Sequence, residues 1–203
     1  MNIQKQKIAG PKNNNFIGCW DINNEELLKD IINYFNQNSK NHMMGVTGSG
    51  LEDFDSKKSI DLAVRPTEIN KKENKFLQNY FSNLNTCFRD YCKDWVFLER
   101  MYDSFDIGVF NIQKYEQGGH FKAWHCERSS LNHSNRIFAW MTYLNTVEKG
   151  GTTDFLHYDI AIKPKVGRTL IWPAEWTHAH RGGEVFSEKY IITGWIEFPI
   201  PKN

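Results

Sequence analysis

The sequence predicts a mainly β protein with flanking helices, an α+β arrangement in which helices pack on one face of a β-sandwich or barrel. Two segments in the first half of the chain carry apolar residues at three- and four-residue spacing, which is typical of amphipathic helices. In the second half, apolar residues alternate with polar ones and glycine pairs separate the runs, which is typical of short strands. Helices followed by a run of strands favour a layer of helices on a sheet.

The N-terminal segment predicts an irregular arm followed by a helix. Residues 1–15 are polar and contain Gly10-Pro11, so we expect no regular element there. Asn23 or Asn24 is the expected N-cap of the first helix, because the apolar stripe begins just after them. That stripe consists of Leu27, Leu28, Ile31, Ile32 and Phe35.

A loop and a second helix are expected next. Residues 37–66 contain three glycines and a charged stretch, which predicts a loop. Its GVTGSG motif lacks the lysine of a phosphate-binding loop, so we interpret it as a surface loop. The second helix should begin after Pro66 and run towards Trp95, with an apolar stripe of Leu77, Tyr80, Phe81, Leu84, Phe88 and Tyr91. We therefore assign residues 16–100 to helical support.

The second half predicts short strands that together form a β-barrel core over residues 105–198. Turns are expected at the glycine pairs, at Lys165–Gly167 and at Arg181–Gly183. The expected strands are Ile107–Tyr115, His120–Glu127, Arg136–Asn145, Asp154–Leu156, Ile160–Lys163, Thr169–Trp172 and Tyr190–Phe198.

Length and composition narrow the class of protein. At 203 residues and 23.8 kDa, residues 1–203 are expected to form a single domain. The net charge of +1 gives no reason to expect a nucleic-acid or membrane partner. Four cysteines without a CxxC motif favour a reducing compartment. No apolar run suits a signal peptide or a membrane span, so we expect a cytoplasmic location.

The second half also contains the residues of a metal site. His125 and Glu127 are separated by one residue in an expected strand, so their side chains should project from the same face. A later histidine, His178 or His180, would complete a set of two imidazoles and one carboxylate. This facial triad holds Fe(II) and leaves the opposite face open for a co-substrate and O₂. Lys189, a basic residue just beyond, suits the far carboxylate of a doubly charged keto acid.

Other interpretations of these residues are also open. Glu127 could be a solvent-facing carboxylate paired with Arg128 or Arg136, and Lys189 could be a turn lysine. By strand alternation, Cys126 should point away from the metal and serve packing.

From about Phe110 to Phe198 the sequence resembles the 2-oxoglutarate- and Fe(II)-dependent dioxygenases, in particular their prolyl 4-hydroxylase-like branch. The resemblance implies a double-stranded β-helix, a jelly-roll or cupin-like barrel with the metal in its open mouth and the N-terminal helices packed on one sheet. It is carried by the order and spacing of Tyr115, His125, Tyr143-Leu144-Asn145, Gly150-Gly151-Thr152, Pro164-x-x-Gly167, His180, Lys189, Thr193 and Trp195.

The resemblance implies His125, Glu127 and His180 as the metal ligands. Lys189 follows His180 by nine residues, which matches the family's gap between the distal histidine and the carboxylate-binding base and favours His180 over His178. The chain departs from the family at Glu127, where the usual residue is Asp. The longer side chain keeps the charge and the ligand type.

The resemblance also implies how 2-oxoglutarate is held. Lys189 would contact its C5 carboxylate, and Thr193 and Tyr143 would donate hydroxyl hydrogen bonds to the same group. Tyr115 would lie at the edge of the pocket, although a core tyrosine is an equally good interpretation. Trp195 would pack in the barrel wall. Fe(II), 2-oxoglutarate and O₂ are the expected cofactors, and ascorbate is a candidate reductant.

The leading hypothesis is therefore a hydroxylase acting on a C–H bond of a peptidyl, prolyl or free amino-acid substrate, with release of succinate and CO₂. The partner would be a peptide, a protein or a small molecule. One alternative is a cupin-type protein that binds or isomerises a small ligand without 2-oxoglutarate. The other is a non-catalytic binding module that keeps the barrel.

Overall fold

The computed structural model describes residues 2–8, 15–47, 52–101 and 106–199. Within these ranges the α-helices are α1 (Glu25–Gln37), α2 (Lys75–Asp94) and α3 (Phe97–Met101). No helix in the described part of the chain is long and apolar enough to cross a membrane.

The strands form two antiparallel sheets with a core between them. In spatial order, the nine-stranded sheet consists of β1 (Ile3–Lys5), β2 (Gly18–Ile22), β12 (Arg168–Pro173), β9 (Arg136–Tyr143), β14 (Lys189–Glu197), β7 (Phe110–Tyr115), β5 (Ile60–Val64) and β3 (Met43–Met44), with β6 (Asp106–Ile107) paired to β14. The five-stranded sheet consists of β11 (Ile160–Ile162), β10 (Thr153–Phe155), β13 (His180–Gly182), β8 (His120–His125) and β4 (Lys57–Lys58). This is a double-stranded β-helix with helices on one sheet, which confirms the predicted fold class.

The larger sheet separates a helix-side core from a cavity, and β14 shows how. Because successive side chains of a strand point to opposite faces, each face of β14 meets a different environment. The residues that pack beneath the helices are Tyr190, Ile192 and Ile196. Those that line the cavity are Lys189, Ile191, Thr193 and Trp195. The alternating pattern in the sequence therefore predicts which side chains are available for chemistry.

The helices are fixed by a cap and by a buried chain of hydroxyl groups. The side chain of Asn24 accepts a hydrogen bond from the Leu27 amide at 3.2 Å, so Asn24 and not Asn23 is the N-cap of α1. Thr169 donates to the Gly167 carbonyl at 3.2 Å, so Thr142 donates to Thr169 Oγ1 at 2.8 Å and Tyr80 on α2 donates to Thr142 Oγ1 at 2.8 Å. These bonds link α2 to β9 and β12 and satisfy hydroxyl groups that would be costly to bury alone.

Two expectations for the N-terminal half are wrong. The expected arm over residues 1–15 contains β1, which pairs with β2, although residues 9–14 lie outside the described part. The expected helical support over residues 16–100 also supplies β2 and β5 to the larger sheet. In β2 four of the five residues are buried, so the segment shows no alternation that would predict a strand.

Two segments expected to be loops or turns are also strands. Residues 37–66 contain β3, β4 and β5, while 48–51, which include part of the GVTGSG motif, lie outside the described residues. Arg181–Gly183, expected as a turn, overlaps β13, which pairs with β10 and β8. Strands this short and polar are defined by their partners, so their own sequences give a weak signal.

Gly194 on β14 provides a test of the packing between the sheet and the helices. A Cβ at this position would lie 2.6 Å from Trp140 Cζ2 and 2.9 Å from Phe110 Cβ. Gly194→Ala should therefore lower the melting temperature by about 3–10 °C, since overpacking a core costs about 1–3 kcal/mol. Thermal denaturation with Gly182→Ala as the control checks this, because a Cβ there meets no atom nearer than 3.6 Å. Equal melting temperatures for the two variants would contradict the described packing.

Candidate functional site

His125 and His180 are brought together by direct strand pairing. β8 and β13 run antiparallel, and their register places His180 opposite His125. Residues in this relationship have Cβ atoms about 4.5–5.5 Å apart, and the two imidazole centroids are 4.3 Å apart. Phe121 stacks on His125 at 3.8 Å, and Trp172 contacts His180 edge-on at 5.0 Å. The two rings are thus held from outside by aromatic packing.

Glu127 joins the two histidines from just beyond the end of β8. The expectation that it lies in the same strand as His125 is wrong, because β8 ends at His125. Instead, the amides of Glu127 and Arg128 donate to the Ala174 carbonyl at 3.2 and 2.9 Å and fix the segment to the end of β12. Glu127 Oε1 lies 3.3 Å from His180 Nε2 and 3.8 Å from His125 Nε2.

The second carboxylate oxygen of Glu127 is held by the protein. Trp195 donates its indole N–H to Glu127 Oε2 at 2.8 Å. Arg136 Nη1 lies 3.8 Å from the same oxygen and donates to the Glu127 backbone carbonyl at 3.2 Å. Arg128 pairs with Glu175 instead, at 2.6 Å. Glu127 therefore directs one oxygen to the histidines while Arg136 and Trp195 hold the other side of the group.

Backbone carbonyls set the tautomer of both imidazoles. His125 Nδ1 lies 2.9 Å from the Ala123 carbonyl oxygen, and His180 Nδ1 lies 3.0 Å from that of His178. A carbonyl only accepts, so each Nδ1 carries a proton, and each Nε2 faces Glu127, where it would present its lone pair to a bound metal. The ring of His178 bonds to Asn15 instead, at 2.9 Å. His178 thus supports His180 through its main chain.

The protonation states also suit a metal. Burial, aided by the neighbouring His180, lowers the pKa of His125 to about 4. Burial alone would raise the pKa of Glu127, but the hydrogen bond with His180 and the adjacent imidazoles outweigh it and hold that pKa well below its usual range. At neutral pH His125 is neutral and Glu127 is ionised, as metal ligation requires. The ligand atoms of His125, Glu127 and His180 lie within 4.8 Å of one another.

Lys189 is a buried cation in the same cavity. It is 3% exposed, and burial lowers its pKa to about 7, against a weaker opposing effect of the Asp154 charge. Its ammonium donates to the Gly151 carbonyl at 3.2 Å and lies 4.4 Å from the centroid of the Tyr115 ring. Gly151 has a φ of +68°, a conformation that favours glycine. Among the described residues no carboxylate forms an ion pair with Lys189, so its remaining donors can take an anion.

The three hydroxyl groups expected to contact 2-oxoglutarate or to border its pocket are already used as donors within the protein. Tyr115 donates to Gln113 Oε1 at 2.8 Å, and Thr193 donates to the Trp140 carbonyl at 2.9 Å, although both residues line the cavity. Tyr143 packs in the barrel core, where its hydroxyl lies 2.6 Å from Thr153 Oγ1 and 3.2 Å from the Ile162 carbonyl. The cavity wall at that place is Thr153, a residue that the sequence did not single out.

The cavity between the sheets has a volume of about 830 Å³. Its wall includes several residues that sequence reasoning missed, among them Phe121, Thr153 and Gln113. Cys126 is also at the wall, because strand alternation does not continue past the end of β8. A run such as GHFKAWH could have indicated Phe121 by its even spacing from His125. The others depend on long-range pairing.

Two imidazoles and one carboxylate on one side of a cavity form the donor set typical of non-haem Fe(II) oxygenases. Residues 110–197 match the family model of the 2OG-Fe(II) oxygenase superfamily. Over its β-barrel part the chain is therefore similar to this superfamily. The match and the donor set support a 2-oxoglutarate-dependent dioxygenase with Fe(II), 2-oxoglutarate and O₂ as its cofactors.

Solved prolyl hydroxylases share the fold of this oxygenase. The viral collagen prolyl hydroxylase of Paramecium bursaria chlorella virus 1, in complex with 2OG, is 18% identical with a TM-score of 0.67, over 91% of this chain and 97% of that one. The prolyl hydroxylase of Trichoplax adhaerens, bound to a peptide of the hypoxia inducible factor oxygen degradation domain, is 13% identical with a TM-score of 0.68, over 91% and 84%. A prolyl-4-hydroxylase of Pseudomonas putida is 14% identical with a TM-score of 0.63, over 87% and 89%. No curated protein matches the chain by sequence.

The buried charge of Lys189 should be visible in the pH dependence of stability. Its pKa falls from 10.5 to about 7 on folding, so between these values the unfolded chain binds more protons and this residue's contribution to stability rises with pH. Lys189→Met should therefore raise the melting temperature of the metal-free protein by about 5–10 °C at or below neutral pH, with a gain that shrinks towards about pH 10.

Thermal melts in buffers free of carboxylate and phosphate check this prediction. Lys114→Met is the matched control, because the pKa of Lys114 is raised by its hydrogen bond to Glu188 and its substitution should not stabilise the protein. A Lys189→Met effect that is the same at every pH would show that the lysine folds without an electrostatic cost.

Proposed function

We propose that this dioxygenase hydroxylates a C–H bond of a peptidyl substrate, with proline as the leading target and a free amino acid as the other candidate, and that it releases succinate and CO₂. One observation carries the proposal. The cavity brings together a two-histidine, one-carboxylate set within 4.8 Å and a buried lysine that lacks an ion-pair partner among the described residues. A metal ion would bind the two-histidine, one-carboxylate set, and a dianionic co-substrate would pair with the lysine.

In this proposal His125, Glu127 and His180 hold Fe(II). The bound ion, 2-oxoglutarate and O₂ would supply the oxidising chemistry, in which one oxygen atom goes to the succinate formed by decarboxylation and the other to the substrate carbon. The chain itself orients both imidazoles with Nε2 towards the metal position, through the carbonyls of Ala123 and His178 that accept from each Nδ1. The wall formed by Phe121 and Trp172 keeps these ligands in place.

Lys189 is the proposed partner of the distal carboxylate of 2-oxoglutarate. A charge-assisted bond to a buried ammonium is strong because little water competes with it. The lysine has two donors beyond the one that Gly151 takes. The bound anion would also restore the charged form of Lys189, which burial disfavours. Tyr115 and Thr193 line the pocket, with hydroxyl groups that must turn if they are to donate to the ligand, whereas Tyr143 packs in the core against Thr153.

The mouth of the cavity supports a peptide as substrate. Two exposed apolar side chains are among the residues that line it, Met43 at 63% exposure and Trp176 at 68%. Trp124, also at the wall, carries the Arg181 guanidinium over its ring at 4.5 Å. Apolar surface flanking a site is typical of a surface that binds a larger partner. The structurally similar Trichoplax enzyme is bound to a peptide, which also supports a peptide substrate here.

The role of Glu127 can be tested without knowing the substrate. Glu127→Ala should abolish substrate-independent conversion of 2-oxoglutarate to succinate, because two histidines alone hold Fe(II) poorly. Glu127→Asp should keep measurable turnover, since it retains the charge with a shorter reach. Succinate formation and Mn(II) affinity measured together check this, with circular dichroism to confirm folding. An alanine variant as active as the parent would exclude Glu127 as a ligand.

The substrate class can be tested with matched compounds. Proline-containing peptides, the same peptides with alanine in place of proline, and free proline should be compared for succinate formation and for gain of one oxygen atom by mass spectrometry. We expect the proline peptides to be hydroxylated and the alanine peptides to be inert. Hydroxylation of the free amino acid without any reaction of the peptides would contradict a peptidyl substrate.

A further inference from the structure

The carboxylate oxygen of Glu127 that faces away from the histidines is fixed by contacts with Trp195 and Arg136. Trp195 donates to Oε2 at 2.8 Å, whereas Oε1 faces the two Nε2 atoms. A carboxylate can turn either one oxygen or both towards a cation, and the extra rotatable bond of a glutamate gives it more freedom to do so than an aspartate has. In this structure the Glu127 carboxylate is oriented with Oε1 towards the histidines and Oε2 towards Trp195.

Arg136 fixes the indole that makes this bond. Its guanidinium lies 3.5 Å from the centroid of the Trp195 ring, the distance of a stacked cation–π contact. Arg136 is in turn held by the Glu127 main-chain carbonyl at 3.2 Å and lies 3.9 Å from Glu197 Oε1. Asn135 donates to the other oxygen of Glu197 at 3.1 Å. The tryptophan N–H therefore has little freedom to follow Glu127 if the carboxylate rotates.

The number of carboxylate oxygens that reach the metal matters for the reaction. A facial triad leaves an open face, on which 2-oxoglutarate takes two positions as a chelate and O₂ needs the remaining one. A carboxylate that bound through both oxygens would fill a position of that face. O₂ would then have no position left, although 2-oxoglutarate could still bind as a chelate.

We infer that Trp195, backed by Arg136, is a positioning residue that keeps Glu127 bound through a single oxygen and so keeps the O₂ position open. This inference rests on the proposed function. It also accounts for the use of Glu at this position, since the longer side chain places its second oxygen beside the indole N–H. An aspartate, shorter by one methylene, would hold its carboxylate farther from the indole N–H.

A double-mutant cycle between Trp195→Phe and Glu127→Asp tests the inference. Each protein is loaded anaerobically with Fe(II) and 2-oxoglutarate, and nitric oxide is titrated as a probe of the O₂ position by electron paramagnetic resonance. Trp195→Phe should bind nitric oxide at least about tenfold more weakly than the parent, the size of a lost charge-assisted hydrogen bond. Its affinities for Mn(II) and 2-oxoglutarate should stay within about threefold, because the triad and Lys189 are unchanged.

In the Glu127→Asp background the same tryptophan substitution should have little effect on nitric oxide binding. Trp20→Phe is the matched control, since Trp20 donates its indole N–H to the Asp90 carboxylate at 3.0 Å outside the cavity. It removes the same kind of bond and should leave nitric oxide binding unchanged.

Three results would overturn the inference. They are parent-like nitric oxide binding in Trp195→Phe, an equal loss in both backgrounds, and a loss of Mn(II) binding in Trp195→Phe. A parent protein that binds neither Fe(II) nor nitric oxide would instead overturn the proposed function, on which the inference depends.

Discussion

The antiparallel pairing of β8 with β13 places His125 opposite His180, and the other features of the site are arranged around that pair. Two histidines far apart in sequence become neighbours because their strands share hydrogen bonds in the smaller sheet. The backbone of the same region then supplies the carbonyls that hold both Nδ1 protons. A slip of one residue in this register would send one imidazole to the opposite face of the sheet. Strand register thus determines whether a metal site exists at all.

The larger sheet contributes the other half of the site through a single strand. β14 presents Lys189 at one end of the cavity and Trp195 towards the other, on the same face. Its opposite face anchors the strand in the core beneath the helices, with Tyr190 and Ile192 buried there. The helices therefore stabilise the position of both residues although they contribute none of the proposed ligands. Packing on one side of the sheet supports the chemistry on the other.

Much of the fold and of the candidate site could be predicted from the sequence, for reasons visible in particular residues. The alternation along Lys189–Glu197 is long enough to show its two faces, and the apolar stripes of α1 and α2 are equally regular. The strands β2 and β13 could not be recognised, because one is buried almost throughout and the other is short and polar. The fixing of Glu127 by Ala174, Arg136 and Trp195 could not be predicted either. These contacts join Glu127 to residues from three other segments, and no local pattern encodes them.

The most direct test is an anaerobic titration of the parent protein and Lys189→Ala with Fe(II) and then 2-oxoglutarate, followed by the weak visible charge-transfer absorption of the chelate. In the parent this band should appear and saturate at one equivalent of each. In Lys189→Ala the Fe(II) affinity should be unchanged, while the 2-oxoglutarate affinity should fall by about 30- to 150-fold, as expected for the loss of a charge-assisted bond of about 2–3 kcal/mol. A band that forms equally well in both proteins would contradict the role of Lys189. A parent protein that binds Fe(II) but never develops the band would contradict the account of the site as a whole.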